Sequence, residues 1–385
     1  MKNLNKKTSL NLIKDLPLLS FTANFFEHVN LENTLIICVQ HLYPTTYNMF
    51  NNLFQMGLKP GNLHIIGKCY STDPSVYNQL KNDGVNISSK SMYFDSFTPY
   101  DLDFETYMSD FFDDIINTVD FNKFEKIIIL DDGGFLIQVA NKKLPHTLNI
   151  VGIEQTSAGF NRVKKKDVFF PVINTARSWV KMKYESPIII ELALRKLTSK
   201  INHLDPQPKK ILIMGFGTLG KIVHKSLKNK YDLSSFDMDK TKSMISHKDL
   251  KNVLNQYDLI IGATGETSLP QENFKSLKNP VVLASISSSD REFDSTYLRR
   301  KTQQTYNCHS DLNIDGITLL NCGFPINFDK DYSTIDTDNF QLTRSLILGA
   351  VCQAYKTSAQ SKGFLELDDE FQTVLEKELQ RENQA

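Results

Sequence analysis

Lys209-Lys210-Ile211-Leu212-Ile213-Met214-Gly215-Phe216-Gly217-Thr218-Leu219-Gly220-Lys221 decides the fold of this 385-residue chain. Residues 211–214 form a short apolar run of buried-strand type, and 221–228 continue as a helix. Between them Gly215, Gly217 and Gly220 stand in the G-x-G-x-x-G spacing, with Phe216, Thr218 and Leu219 completing the loop. Such a loop suits a dinucleotide pyrophosphate. Its glycines allow a tight turn, close backbone approach to phosphate and helix-on-strand packing, and the helix N-terminus faces the anion. A second strand expected at 233–236 ends in Asp237, 17 residues beyond Gly220. A carboxylate there accepts hydrogen bonds from the ribose diol of NAD and repels a 2′-phosphate. The expected cofactor is therefore NAD. The bland alternative is an ordinary strand–turn–helix with chance glycines.

The length allows two domains with cores of their own. Basic and acidic residues balance at 44 each. The basic run Lys164-Lys165-Lys166 reads as a solvated face, so no nucleic-acid partner is expected. Lys2, Lys6 and Lys7 are followed by no continuous apolar core, so a signal peptide is not expected. No run approaches the ~20 apolar residues of a spanning helix, and no membrane partner is expected. Cys38, Cys69, Cys308, Cys322 and Cys352 are odd in number and scattered. Reduced thiols in a cytoplasmic protein account for them most simply. Cys308-His309 stands alone and is not read as a metal site.

Apolar runs alternate with helical stretches, which argues for α/β architecture with parallel sheets. One block has strands near 34–39, 63–66 and 126–130. The other has strands near 211–214, 233–236, 259–261, 281–285 and 317–320. Polar residues 198–209, with Pro206 and Pro208, read as a hinge. After Phe328 comes an irregular acidic stretch. Asp338 then reads as the N-cap of a helix over 339–355, and the last 20 or so residues as an exposed helix.

Four more segments carry polar residues where strands should end. Residues 36–40 lead to His41, and 127–130 run into Asp131-Asp132-Gly133-Gly134. Residues 150–153 run into Glu154-Gln155-Thr156-Ser157-Ala158-Gly159. Pro171-Val172-Ile173-Asn174 leads to Lys181-Met182-Lys183-Tyr184-Glu185. Ligands of open α/β sheets bind beyond the carboxyl ends of strands. Each segment also has a structural reading. Asp-Asp-Gly-Gly makes a good turn. Lys181 and Glu185 at i,i+4 can be a surface pair. His41 can be a hydrogen-bonded core histidine, and Thr156-Ser157 can cap a helix.

In this order, the segments resemble the adenosylhomocysteinase family, along nearly the whole chain. Asp-Asp-Gly-Gly at 131–134, Gln155–Gly159 against the family's Glu-Thr-Thr-Thr-Gly, Asn174 followed by Lys181 to Glu185, and the glycine loop occur at similar intervals. Gly262-Ala263-Thr264-Gly265 and Leu320-Asn321-Cys322-Gly323 match two later family segments. The resemblance implies two Rossmann-like domains around a cleft: residues 1–187 plus 338–385 for substrate, and 188–337 for NAD. It implies a retained NAD that oxidises a sugar hydroxyl, after which a thioether is eliminated and water adds. Lys181 would deprotonate the hydroxyl, Asp132 and His41 would move protons, and Glu185 would hold the diol. Thr156, Ser157, Thr264, Ile286 and Asn321 would touch NAD beside the glycine loop. A nucleoside or thioether substrate and a homo-oligomer are implied as well.

The departures cluster at the substrate. Gln155 replaces a diol-binding Glu, and Tyr43 and Thr45 replace the family's adenine-reading Thr and Glu. Ala176 and Ser186 replace Asn residues, and Ile190 a Cys. Ser287-Ser288-Ser289 replaces Gly-His-Phe, 323–327 is shortened, and the family's C-terminal Lys-x-x-x-Tyr tail is missing. Two alternatives stay open: a non-catalytic NAD-binding regulator, and an NAD-dependent dehydrogenase that releases its reduced cofactor.

Overall fold

The computed structural model describes residues 16–287, 289–328, 337–382 and 384, with backbone alone for 186–189 and 337–339. Lys2, Lys6, Lys7, Ser288, the acidic stretch after Phe328 and the Asp338 side chain lie outside the described residues. The chain is α/β and divides into two compact units. One comprises Met1–Tyr93, Glu105–Ser186 and Asp331–Ala385; the other comprises Phe94–Phe104 and Pro187–Lys330.

The first unit is built on a seven-stranded sheet: β1 (Thr34–Leu42), β2 (Leu63–Thr72), β3 (Asn86–Ile87), β4 (Lys126–Asp131), β5 (Ile150–Glu154), β6 (Val172–Asn174) and β13 (Phe364–Glu366). Read across, the order is β3-β2-β1-β4-β5-β6-β13, and every pairing is parallel. The central strands are buried along their length: Leu35 to Val39 and Ile127 to Leu130 are at most 1% exposed. A parallel strand covered by helices on both faces demands such a continuous apolar run. The strand order reverses between β1 and β4. In doubly wound sheets that switch point opens the crevice where ligands bind.

The helix Thr337–Lys356 returns to this unit. It packs on the helices Pro17–Phe25 and Pro44–Gln55 and over β4 and β5, burying Leu342, Leu346, Ile347 and Val351. The helix Asp369–Glu382 differs from the exposed helix expected at the C-terminus. Phe371 and Leu375 are fully buried in the same core, and the Phe371 ring lies so close to Gly349 that a Cβ there would stand 2.2 Å from it. Its many charged residues conceal a narrow apolar stripe at i,i+4 spacing.

The second unit carries a six-stranded sheet: β7 (Lys210–Met214), β8 (Asp232–Phe236), β9 (Leu259–Gly262), β10 (Val281–Ser285), β11 (Leu312–Ile314) and β12 (Ile317–Leu319). The order is β8-β7-β9-β10-β12-β11, parallel except for the final β11–β12 pair. Here the switch point lies between β7 and β9. The hinge expected at 198–209 is corrected. The helix Ser186–Asn202 runs through its first half because Leu197 and Ile201 are buried against Ile211 and Ile213 of β7. The change of unit falls at Ser186/Pro187. Residues 94–104 also join this unit through Arg299, whose fully buried guanidinium donates to the Ser96 and Thr98 carbonyls and pairs with Asp290 at 2.6 Å.

Candidate functional site

His41 and Asp132 lie at the ends of β1 and β4, on either side of the first switch point. The β1–β2 ladder pairs Gln40 with Gly67, then resumes only at Leu42 with Thr72. Residues 68–71 therefore leave the ladder, and such a bulge re-aims side chains. Lys68 Nζ reaches Asp132 Oδ1 at 2.5 Å, and Ser71 Oγ lies 2.5 Å from His41 Nδ1. His41 Nε2 is 3.5 Å from Asp132 Oδ2, and its ring stacks on Tyr43 at 10°. Gln155 Nε2 donates to Asp132 Oδ2 at 2.5 Å, and Gln40 Nε2 donates to Gln155 Oε1 at 2.9 Å.

The Lys181–Glu185 segment forms one π-helical turn leading into the helix Ser186–Asn202. Such turns recur at functional sites. Lys181 Nζ donates to the Gln155 carbonyl at 2.6 Å and pairs with Glu185 Oε2 at 3.2 Å. Glu185 also accepts from the Thr343 hydroxyl. These side chains are only 15% and 7% exposed, so the surface-pair reading of Lys181 and Glu185 does not hold. Arg344, 4% exposed, makes two long hydrogen bonds: Nε to Thr45 Oγ1 at 3.4 Å and Nη1 to Gln40 Oε1 at 3.5 Å. One continuous polar network thus joins His41, Thr45, Asp132, Gln155, Lys181 and Glu185.

The electrostatics divide the roles. Burial lowers the His41 pKa from 6.5 to about 3; Asp132 opposes the shift, while Lys68 and Arg344 add to it. His41 is neutral at physiological pH. Burial opposes ionisation of Asp132 too, but Lys68, His41 and hydrogen bonds from Lys68 and Gln155 hold it well below the usual carboxylate range. Since His41 is neutral near pH 7, Lys68 is the group that keeps Asp132 charged. Behind this layer, Asp131 and Glu154 are neighbours across the β4–β5 ladder. Burial pushes Asp131 up to about 6 and Glu154 well above its ordinary value, and the carboxylates beside them push the same way. Like charges held this close share a proton.

Thr156 caps the helix Ser157–Val163 by accepting from Gly159 N at 3.0 Å, and it donates to Glu154 Oε1 at 2.7 Å. The capping role is thus filled, and Ser157 is exposed beside it. Asn174 is tied by Nδ2 to Glu366 of β13 at 3.2 Å.

In the second unit, the glycine loop follows β7 at its own switch point. Gly215 has φ +94°, in the region that favours glycine. A Cβ on Gly220 would stand 1.9 Å from the Gly215 carbonyl oxygen, so only glycine lets the helix Thr218–Leu227 approach the strand. A Cβ on Gly217 would meet nothing within 4 Å, which leaves open space where a phosphate approaches. Phe216 N donates to Asp237 Oδ2 at 2.6 Å, placing the carboxylate beside the loop. After β9, Ala263-Thr264-Gly265 is held by Glu292, which is fully buried. It accepts from Thr264 N at 3.1 Å, Thr264 Oγ1 at 2.7 Å and Gly265 N at 3.0 Å. Ile286 is 6% exposed, just beyond β10. Asn321 is 1% exposed at φ 49°, ψ 40°, and its Oδ1 has no partner although it is buried. Buried amide oxygens are normally satisfied. The open glycine cradle and this orphaned acceptor both fit a dinucleotide.

Lys68, Ser71, Arg344 and Glu292 belong to these clusters and carry no motif. Among the described residues there is no group of three or more His, Cys, Asp or Glu able to hold a metal ion. No helix among them is long and apolar enough to cross a membrane. All five cysteines are buried thiols.

No family model matches the chain. Two curated relatives, uncharacterized proteins MT0113 and Rv0104 from two strains of Mycobacterium tuberculosis, are each 38% identical over 330 residues, covering 84% of this chain. The chain spans 65% of their length. Among solved structures, a dipicolinate synthase polypeptide of Bacillus halodurans is 12% identical, with 86% of this chain and 99% of that one covered and a TM-score of 0.40. An L-alanine dehydrogenase is 10% identical over 90% and 99%, with a TM-score of 0.35. An NAD+-bound 3-phosphoglycerate dehydrogenase of Entamoeba histolytica is 10% identical over 86% and 100%, with a TM-score of 0.36. These are distant likenesses, and the resemblance to adenosylhomocysteinases rests on the ordered motifs alone.

Proposed function

We propose that the chain is an NAD-dependent enzyme that oxidises a hydroxyl group of a small molecule held by the first unit. The observation that carries this reading is the assembly of His41, Asp132, Gln155, Lys181 and Glu185, from separate strand ends, into one buried network. The second unit supplies the dinucleotide site: Gly215, Gly217 and Gly220 for the pyrophosphate, Asp237 for the ribose diol, and Thr264, Ile286 and Asn321 toward the nicotinamide half. When bound, NAD accepts the hydride that leaves the carbinol carbon. Lys181 is placed to take the hydroxyl proton as the carbonyl forms. Glu185 and the Gln155 carbonyl fix the amine in place, which is the larger part of what a positioned base requires.

A second reading follows the adenosylhomocysteinase plan, and the contact between His41 and Asp132 favours it. The new carbonyl acidifies the neighbouring C–H. His41, being neutral, takes that proton; the carbon–sulfur bond breaks and the sulfur leaves with its electron pair. Addition of water and return of the hydride close the cycle. Asp132, paired with Lys68, serves here as a fixed charge and orients His41 rather than acting as the base.

Lys181→Ala tests both readings, with a panel of hydroxylated small molecules followed by mass spectrometry. The expected loss is on the order of 10²–10⁴ in rate, with NAD binding retained because the glycine loop and Asp237 are untouched. Undiminished turnover in Lys181→Ala would sink the proposal. Accumulating NADH marks the first reading; a thiol product without net NADH marks the second.

A further inference from the structure

Arg344 is a buried charge of the first unit that is held only by long hydrogen bonds. Its guanidinium has five N–H donors and a planar fork suited to two parallel hydrogen bonds. It is 4% exposed, yet its hydrogen bonds are two long contacts to neutral acceptors, Thr45 Oγ1 at 3.4 Å and Gln40 Oε1 at 3.5 Å. Taking a cation out of water is costly unless it is paired and well hydrogen-bonded. The nearest carboxylates, Glu185 and Asp132, act on it through space, but their own short contacts go to lysines: Lys181 at 3.2 Å and Lys68 at 2.5 Å. The close contacts of both carboxylates are thus taken, and the guanidinium keeps only its two long ones.

We infer that the substrate of this site carries an anionic group, a carboxylate or a phosphate, which docks on the Arg344 guanidinium beside Thr45 and Gln40. The inference rests on the proposal that the first unit is the substrate site, and it narrows the substrate to anionic hydroxylated molecules. A planar bidentate acceptor would replace the two long contacts with charge-assisted hydrogen bonds. Thr45 and Gln40 then orient the anion, and Gln40 passes its position to Gln155 and Asp132 through the 2.9 Å and 2.5 Å hydrogen bonds already in place. An uncharged nucleoside would leave the guanidinium buried and unpaired.

The test is calorimetric titration of the full chain with inorganic phosphate and, separately, with glycolate, at constant ionic strength in chloride. The wild type should bind at least one of them saturably. Arg344→Gln should weaken that binding on the order of tenfold or more, and Arg344→Lys, which keeps charge but loses the fork, should fall between. Phosphate binding alone assigns a phosphoryl group; glycolate binding alone assigns a carboxylate. NAD titration of each variant reports on the second unit. Absence of saturable binding of both probes to the wild type overturns the inference, as does equal affinity in Arg344→Gln. Either result leaves the NAD-dependent reading standing, because that reading is tested by turnover of Lys181→Ala.

Discussion

At the scale of single residues, the site trades one charge against another. Lys68 keeps Asp132 ionised and burial keeps His41 unprotonated, and each lowered pKa makes its group a weaker base than it is in water. The histidine carries a measurable consequence. Its pKa is about 3 in the folded chain and 6.5 ordinarily. Between those values the unfolded chain binds the extra proton, so stability falls as pH drops from 6.5 toward 3, by up to about 1.4 kcal/mol per pH unit. Above 6.5 the group adds no slope. Asp131, raised to about 6, acts in the opposite sense between its ordinary value and 6. The informative quantity is therefore the difference between wild type and His41→Asn in one buffer series. Denaturant unfolding should show a shallower decline for the variant below pH 6.5; identical slopes would mean that His41 is protonated in the folded state. His41, Asp132 and Gln155 stood out in the sequence as polar residues at the ends of apolar strands, and Lys181 only through its place in the ordered motifs. Lys68 and Arg344 did not. Lys68 reaches the site only because residues 68–71 leave the ladder, and Arg344 arrives on a helix 303 residues after His41 in sequence.

Elements explain why the two sets of residues gather where they do. In both sheets the strand order reverses at one point, between β1 and β4 and between β7 and β9, and the motif residues follow those strands. The continuous apolar runs of β1, β4, β7 and β9 made these elements readable. Short or mixed elements were not: β13 has three residues, and only its pairing with β6 defines it. The helix Ser186–Asn202 hid behind polar residues because two buried side chains, Leu197 and Ile201, are enough to hold its last turns. The glycine loop gives the sharpest test at this scale. Gly217→Ala adds a methyl group with no protein atom within 4 Å at φ −72°, a conformation any residue adopts. Its stability should stay within about 0.5 kcal/mol of wild type, while its NAD affinity falls because the methyl group stands where the phosphate approaches. Calorimetric NAD titration checks this. A Gly217→Ala protein that binds NAD as well as the wild type would remove the loop from the cofactor site.

On the scale of the whole molecule, each unit carries half of the proposed chemistry: acid–base groups and a buried cation in one, a dinucleotide turn in the other. The assignment of residues 94–104 to the second unit could not be read from sequence, since it depends on Arg299 reaching the Ser96 and Thr98 carbonyls, 203 and 201 positions away. The proposed reaction requires that the acid–base groups and the cofactor act on one molecule. The most direct measurement is the absorbance of the reduced nicotinamide band when NAD-loaded wild-type chain is mixed with a panel of hydroxylated carboxylates and phosphate esters. The band should rise with at least one member and stay flat with the whole panel in Lys181→Ala. A protein that holds NAD, shows no band and leaves every member of the panel unchanged would contradict the proposed reaction.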